Sequence, residues 1–156
     1  MIYWFIGQPG CGKTTLARRL KKHFDAKGVP ALHLDGDDLR KLYGAYSKEH
    51  FTKEYRIEWN RILQRFAAHF TDQGITVILS TVNPYRDNRE EFKASRKDIK
   101  EIYVTTNDIR GREDKWVKDF EEPLTNYTAI LTGGKWTEDE SFNLVLSHLL
   151  ATKVKE

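Results

Sequence analysis

The residues best placed to do chemistry form a glycine-rich stretch near the amino terminus, GQPGCGKT at 7–14. It matches the pattern G-x-x-x-x-G-K-[ST], in which glycines let backbone N–H groups surround a phosphate. Lys13 would then reach the β- and γ-phosphates of a nucleotide, and the Thr14 hydroxyl would ligate Mg²⁺. The alternative is a glycine-rich turn that binds nothing. Because an apolar run precedes the stretch and a helical pattern follows it, we predict a nucleotide phosphate site.

A second candidate stretch, LDGDDLR at 34–40, places three acids directly after an apolar run. Ligands of a parallel sheet lie off the carboxyl ends of its strands, so Asp35 should face the phosphate site. Phosphoryl transfer needs a carboxylate that takes the proton of the attacking hydroxyl and Mg²⁺ that screens the phosphates. We assign the hydroxyl to Asp35 and the binding of Mg²⁺ mainly to Asp37. Asp38 is interpreted as a helix cap and Arg40 as a clamp for an anionic acceptor. The alternative is a strand-ending turn without chemistry, for which Asp and Gly are also suited.

The elements that must position these residues follow from apolar periodicity. Short apolar runs predict strands at 2–6, 30–35, 75–80, 99–104 and 127–131. Helical spacing predicts helices at 13–24, 57–70, 86–97 and 137–150. This alternation is typical of a parallel sheet with helices on both faces. We therefore predict a three-layer α/β fold of the P-loop NTPase and kinase type, with a mostly parallel five-stranded sheet, in a single domain spanning 1–156.

Length and composition limit the classes of function. The 156 residues carry 26 Lys and Arg against 23 Asp and Glu, a net charge of +3. This charge suits an anionic small molecule at least as well as a nucleic acid. No stretch approaches the ~20 apolar residues of a membrane span, and the amino terminus lacks the features of a signal peptide. Cys11 is the only cysteine, which excludes a disulfide framework, and we expect a cytoplasmic protein with no membrane association.

Four segments together resemble the adenylylsulfate kinases, or APS kinases, which transfer the γ-phosphate of ATP to the 3′-hydroxyl of adenosine 5′-phosphosulfate. They are the phosphate loop, LDGDDLR, FTKEYR at 51–56 and STVNPYRDNR at 80–89. LDGDDLR matches the family's L-D-G-D-N-x-R except at Asp38. The last segment matches the family's S-x-x-S-P-Y-x-x-x-R at Ser80, Pro84, Tyr85 and Arg89. Because many kinases share the phosphate loop, the later segments carry the resemblance, which extends with gaps from about residue 3 to residue 150.

The resemblance implies an enzyme that uses ATP and Mg²⁺, with Phe51 stacked on adenine and Arg56 bound to the phosphosulfate. The candidate ATP-binding residues are Gly7, Gln8, Pro9, Gly10, Cys11, Gly12, Lys13, Thr14 and Thr15, together with Arg110 and Arg112. The candidate acceptor-binding residues are Asp35, Asp37, Arg40, Phe51, Arg56, Asn60, Asn83, Pro84 and Tyr85. The candidate catalytic residues are Lys13, Asp35 and Asp37, and the candidate metal ligands are Thr14 and Asp37.

Three departures from the family pattern leave the acceptor open. Trp59 stands where the family has a substrate-contacting Asn, although Asn60 is adjacent. Asn83 replaces a serine that is sometimes assigned as a phosphoserine intermediate, so we expect direct in-line transfer. The family's K-G-L-Y-K-K-A-R lid is absent. A shorter, divergent lid at about 107–123 takes its place, and its arginines and Trp116 could still contact ATP.

The leading prediction is therefore Mg²⁺-assisted transfer of the γ-phosphate of ATP to the 3′-hydroxyl of APS. The alternative is a kinase of the same build acting on a different nucleotide-like or small-metabolite hydroxyl. A nucleotide-binding protein without turnover is disfavoured because four residues are intact: Lys13, Thr14, Asp35 and Asp37. A polynucleotide kinase is disfavoured because the sequence shows no basic stripe with interleaved aromatics. The expected partners are ATP and an anionic nucleotide-like acceptor, and a homodimer is left open.

Overall fold

The computed structural model describes residues 1–108 and 113–150. Strands and helices alternate in the order β1 (Ile2–Ile6), α1 (Lys13–Ala26), β2 (Ala31–Asp35), α2 (Gly36–Tyr43), α3 (Lys53–Asp72), β3 (Thr76–Thr81), α4 (Arg86–Ser95), β4 (Ile99–Thr106), β5 (Tyr127–Thr132) and α5 (Glu138–Leu150). Short 3-10 turns lie at Lys48–Phe51 and Glu113–Lys115. None of the helices in the described ranges is long and apolar enough to cross a membrane.

All five predicted strands and all four predicted helices are present, and α2 is a fifth helix beyond those four. Helix α3 begins at Lys53 rather than 57, because the Thr52 hydroxyl caps it by accepting a hydrogen bond from the N–H of Tyr55. Helix α2 begins directly after β2. The expectation that Asp38 caps this helix is wrong, since the Asp35 side chain is the cap.

All five strands run parallel in one sheet with the order β2-β3-β1-β4-β5. The register places Asp35 beside Ser80 and Ile6 beside Thr81. Because the strands point the same way, polar groups at the ends of β1, β2 and β3 meet at one edge of the sheet. The predicted α/β class is confirmed, and the edge that should hold the site is defined.

The central strand β1 is buried along its whole length and divides the core into two clusters. Alternate side chains of a strand point to opposite faces. Tyr3 and Phe5 therefore belong to the cluster under α1 and α5. Ile2, Trp4 and Ile6 belong to the cluster under α3 and α4. Packing on both faces fixes β1, and with it the start of the glycine-rich loop that follows.

A buried ion cluster joins α4 to β4. Arg89 Nε lies 3.0 Å from Glu101 Oε1, and both side chains are fully buried. Lys93 pairs with the other oxygen of Glu101. The guanidinium of Arg89 also donates to the carbonyls of Asn83, at 2.8 Å, and Glu121. The cluster thereby ties the loop between β3 and α4 to the rest of the fold.

Replacing Glu101 by Ala should lower the free energy of unfolding by about 3–5 kcal/mol, because the fully buried guanidinium of Arg89 would lose its carboxylate partner, although Lys93 would keep its pair with Glu90. The matched control is Glu91→Ala, since the Glu91 carboxylate pairs with Arg61 on the exposed surface at 3.5 Å. That variant should lose no more than about 1 kcal/mol. Denaturant unfolding measures both losses. Equal, small losses would contradict the role given to the buried cluster.

Candidate active site

The loop between β1 and α1 has the shape that a phosphate site requires. Gly7 has a φ of +149°, and a Cβ at this position would lie 2.3 Å from the carbonyl oxygen of Val104, so a side chain cannot be accommodated. Gly12 is the N-cap of α1. The helix start that follows it presents backbone N–H groups and the positive end of the helix dipole. The Lys13 ammonium donates to the carbonyl of Gln8 at 2.8 Å, which places its charge over the loop.

The carboxylate of Asp35 is the meeting point of three elements. Its Oδ2 accepts hydrogen bonds from the Thr14 hydroxyl, at 2.7 Å, and the Ser80 hydroxyl, at 2.9 Å. Its Oδ1 accepts the backbone N–H groups of Asp37, at 3.0 Å, and Asp38, at 3.1 Å. The first turn of α1, the end of β3 and the start of α2 are thus held by one side chain.

These contacts determine the charge of Asp35. Burial raises the pKa of its carboxyl group. Hydrogen bonds from Thr14, from the N–H of Asp38 and from Ser80 together lower the pKa by more than burial raises it, so the net pKa lies below the ordinary value. A carboxylate with a lowered pKa and both oxygens occupied is a poor proton acceptor. The bonding therefore favours a positioning role for Asp35 over the general-base role assigned from sequence.

His33 extends this network on the same face of β2. Its Nε2 lies 2.8 Å from the hydroxyl of Ser80. Because that hydroxyl gives its proton to Asp35, Nε2 is assigned as the nitrogen that carries the ring proton. Burial lowers the pKa of His33, and the nearby Asp35 charge offsets only part of this. The ring is therefore neutral at pH 7 and serves to orient Ser80.

An open cavity of about 840 Å³ extends from the phosphate loop to α2 and α3, a volume in the range of small-molecule sites. The predicted residues on its wall are Pro9, Gly10, Gly12, Lys13, Thr14, Thr15, Asp35, Asp37, Arg40, Phe51, Arg56, Asn60 and Asn83. The predicted residues off this wall are Gly7, Gln8, Cys11, Pro84 and Tyr85. Arg110 and Arg112 lie outside the described residues. The structure thus gathers most of the predicted site around one cavity.

Asp37, like its neighbour Asp38, is an exposed carboxylate at this edge of the sheet. It lies in the first turn of α2 and borders the cavity. Its side chain is therefore accessible to a ligand, whereas that of Asp35 is buried and bonded. Asp37 is thus the better placed of the two for contact with a substrate hydroxyl or a metal ion.

Arg40 and Arg56 form a cationic patch on the cavity wall. The Arg40 side chain is buried and donates to the carbonyl of His50 at 2.7 Å. Arg56 donates to the carbonyl of Phe51 at 2.9 Å. Burial, and next the charge of Arg56, lowers the pKa of Arg40. Within residues 1–108 and 113–150 neither guanidinium forms an ion pair with a carboxylate, so the patch is suited to bind an anion.

Aromatic rings pack around these two arginines. The Phe51 ring centroid lies 4.6 Å from the guanidinium carbon of Arg40 and 5.3 Å from that of Arg56. The ring of the buried Trp59 lies 5.4 Å from the guanidinium carbon of Arg40, and Tyr46 packs edge-on against Phe51. Contacts of this kind hold a guanidinium in place. Stacking of Phe51 on adenine stays a prediction.

The donor set at the loop fits Mg²⁺. The Thr14 hydroxyl gives its proton to Asp35, so its lone pairs are free to face a metal ion. The exposed carboxylate of Asp37 adds a second hard oxygen. In the described part of the chain no three His, Cys, Asp or Glu side chains are grouped for a metal, so phosphate oxygens and waters would complete the coordination. This is the usual arrangement for Mg²⁺ at nucleotide sites.

Sequence reasoning missed several residues of the site. His33 could have been found from the sequence, because alternate residues of a strand share a face and His33 precedes Asp35 by two positions in β2. Ser80 and Thr81 depend on strand register, which the sequence does not show. Thr81 borders the cavity and accepts a hydrogen bond from the Trp4 indole at 2.9 Å. Trp116, considered for nucleotide stacking from its place in the lid, does lie on the cavity wall.

The parallel sheet, the glycine loop before α1 and the acidic edge beside it define the class of P-loop kinases. Within this class, the family model described as adenylylsulphate kinase matches residues 1–120. The chain belongs to the adenylylsulfate kinase family.

Individual relatives agree with this assignment. The chain is 32% identical over 135 residues to an adenylyl-sulfate kinase of Thermodesulfovibrio yellowstonii, covering 83% of this chain and 66% of that protein. It is 31% identical over 103 residues to a cytidine diphosphoramidate kinase of Campylobacter jejuni, covering 66% of this chain and 59% of that protein. It spans 52% to 66% of the length of several curated adenylyl-sulfate kinases that it matches.

The fold is also that of a solved member of the family. The Mycobacterium tuberculosis APS kinase, solved in complex with AMPPNP and APS, aligns with a TM-score of 0.80 and 23% identity. The alignment covers 96% of each chain. This similarity shows that the sheet and helices of the two proteins have the same arrangement.

Asp35→Asn should lower the free energy of unfolding at neutral pH by about 1–2 kcal/mol, because hydrogen bonds to a charged acceptor are stronger than neutral ones. The folded-state pKa of Asp35 is lowered, so its contribution is present above the unfolded pKa and is lost as pH falls through the folded pKa. The stability difference between wild type and variant should therefore shrink from pH 7 to pH 3. Denaturant unfolding over this range measures it, and a difference that grows toward acid pH would refute the assignment.

Proposed function

We propose that this chain transfers the γ-phosphate of ATP to the 3′-hydroxyl of adenosine 5′-phosphosulfate. The carrying observation is that one cavity holds both a phosphate loop with Lys13 and a cationic patch, Arg40 and Arg56, that forms no ion pair with any described carboxylate. Asp35 bonds the first turn of α1 and caps the helix that bears Arg40. Donor and acceptor anions would thus bind on either side of a common acidic edge. The family membership supports the choice of acceptor.

The residues divide the work as follows in this proposal. Lys13 and the N–H groups of the loop bind the phosphates of ATP, and bound Mg²⁺ would neutralise their charge. Thr14 and Asp37 hold the metal, and Asp37 is also the accessible carboxylate for the acceptor hydroxyl. Asp35 keeps Thr14 and α2 in place through its hydrogen bonds. This assignment keeps the metal role that the sequence suggested for Asp37 and moves the acceptor hydroxyl from Asp35 to Asp37.

Transfer is proposed to be direct and in line. Asn83 has no hydroxyl that could accept a phosphoryl group. The neighbouring hydroxyls are engaged, since that of Ser80 donates to Asp35 and that of Thr81 accepts from Trp4. Asn83 has a φ of 29°, a conformation that Asn tolerates better than most residues. Its backbone carbonyl is held by Arg89, so this residue shapes the acceptor wall.

A second candidate is a kinase of the same build with another 5′-substituted nucleotide as acceptor. The observation that favours it is Trp59, a buried ring on the cavity wall beside Arg40. A large indole in place of the family's Asn changes the space left for the acceptor. A relative of comparable sequence identity, the cytidine diphosphoramidate kinase of C. jejuni, is named for an acceptor other than APS.

The setting follows from the proposed reaction. With ATP as the phosphoryl donor, we propose a cytoplasmic reaction that serves sulfate assimilation. The buried thiol of Cys11, unpaired in the structure, agrees with a reducing compartment. A homodimer remains a proposal for which solution measurements of mass are the test.

The proposed function predicts that the protein, with ATP and Mg²⁺, releases ADP when APS is added, and that the new phosphate is on the 3′-oxygen. Lys13→Ala should lower kcat/KM by at least ~100-fold, because the phosphates lose their charged clamp. Arg18→Ala is the control, since Arg18 is exposed on the same helix, and it should keep the wild-type rate. A coupled ADP assay with product analysis measures these rates.

The same assay with cytidine diphosphoramidate separates the two candidates. Turnover with that nucleotide and none with APS would favour the second. No turnover with either, by a folded protein that binds ATP, would contradict APS as the acceptor and exclude cytidine diphosphoramidate as the alternative.

A further inference from the structure

The side chain of Gln8 makes a contact that phosphate binding does not explain. Gln8 is the second residue of the phosphate loop, where only backbone groups are needed for a phosphate. Its Nε2 donates to the carbonyl of Val117 at 2.9 Å, and its Oε1 accepts the N–H of Val117 at 2.8 Å. One side-chain amide therefore satisfies both backbone groups of a residue 109 positions later in the chain.

The geometry of this pair is specific. A primary amide offers one acceptor and donors on the same planar group, which matches the N–H and C=O of one peptide residue. The two bonds also fix the amide orientation, because the opposite assignment would set donor against donor and acceptor against acceptor. Val117 is buried, so its backbone groups would be costly to leave without partners.

Val117 lies in residues 113–122, here called the return segment, which leads back toward the β3–α4 loop. The far end of this segment is already anchored. The N–H of Glu121 donates to the carbonyl of Pro84 at 2.8 Å, and Arg86 donates to the carbonyl of Glu122. The contact with Gln8 is a second anchor, at the phosphate loop.

The residues just before Val117 form part of the cavity wall. Asp114, Lys115 and Trp116 border the cavity beside the phosphate loop. Their position depends on where Val117 is held, because they precede it directly. The backbone carbonyl of Gln8 also accepts a hydrogen bond from the Lys13 ammonium. Gln8 thus contacts both the phosphate-binding lysine and the segment that forms the adjoining wall.

We infer that Gln8 is a positioning residue whose side-chain amide holds the return segment against the phosphate loop and so sets the wall around ATP. The structural part of this inference stands on the contacts alone. The kinetic part rests on the proposed function. Its test is therefore designed in two arms, the first of which needs no substrate.

The first arm measures amide exchange at Val117 by NMR in the free protein. Gln8→Met keeps the length of the side chain but removes both hydrogen bonds, so exchange at Val117 should become at least ~10-fold faster. Gln73→Met, the same substitution at an exposed residue after α3, is the matched control and should leave Val117 exchange unchanged. Unchanged exchange in Gln8→Met overturns the inference whatever the activity.

A second variant guards against a folding defect. Gln8→Glu keeps an acceptor for the N–H of Val117 but sets an oxygen against its carbonyl. It should give exchange at Val117 between the wild-type and Gln8→Met rates. If Gln8→Met does not fold, an unchanged exchange rate in Gln8→Glu overturns the inference in its place.

The second arm measures kinetics with the acceptor that the protein accepts. Gln8→Met should lower kcat/KM for ATP by about 10-fold, while the KM for the acceptor stays within about 2-fold, because the acceptor patch lies on α2 and α3. Faster exchange with unchanged kinetics would overturn the positioning role. Faster exchange in a protein whose wild type has no kinase activity would instead reject the proposed function and keep the contact.

Discussion

The Asp35 carboxylate accepts hydrogen bonds from a hydroxyl of α1, a hydroxyl of β3 and two N–H groups of α2. No other side chain described in the structure joins these three elements. Burial of a charged group is unfavourable unless it is fully hydrogen-bonded, and these four bonds meet that condition. They fix Thr14, at the end of the phosphate loop, and start α2 directly at the sheet edge. The rest of the site depends on this arrangement.

The start of α2 determines where the cationic patch of Arg40 and Arg56 lies. Arg40 follows Asp35 by five residues in that helix, and its guanidinium reaches Phe51, Trp59 and the neighbourhood of Arg56. Between α4 and β4, the buried pair of Arg89 and Glu101 fixes the β3–α4 loop, which carries Asn83. Both walls of the cavity are therefore held by buried charged groups. The exposed groups, Asp37 above all, are left free for a ligand.

Local patterns allowed the sheet, most helices and the phosphate loop to be predicted. The apolar run of β1 and the glycine spacing are readable because they depend on neighbouring residues. The division of roles between Asp35 and Asp37 depends on contacts that local patterns do not show, because an acid after a strand can be a cap or a ligand. The strand register, which brings Ser80 to Asp35, favours a positioning role for Asp35. The pairing of Gln8 with Val117 joins distant parts of the chain and leaves no local signal.

A double-mutant cycle on Thr14 and Asp35 tests the central role of this carboxylate most directly. Thr14→Val removes the hydroxyl with little change of shape, and Asp35→Ala removes its acceptor. Unfolding free energies at pH 7 should give a coupling of about 1–2 kcal/mol. The control is Thr15→Val, at the exposed neighbour of Thr14, which should show no coupling free energy with Asp35→Ala. Effects of Thr14→Val and Asp35→Ala that add to within about 0.3 kcal/mol would contradict the account.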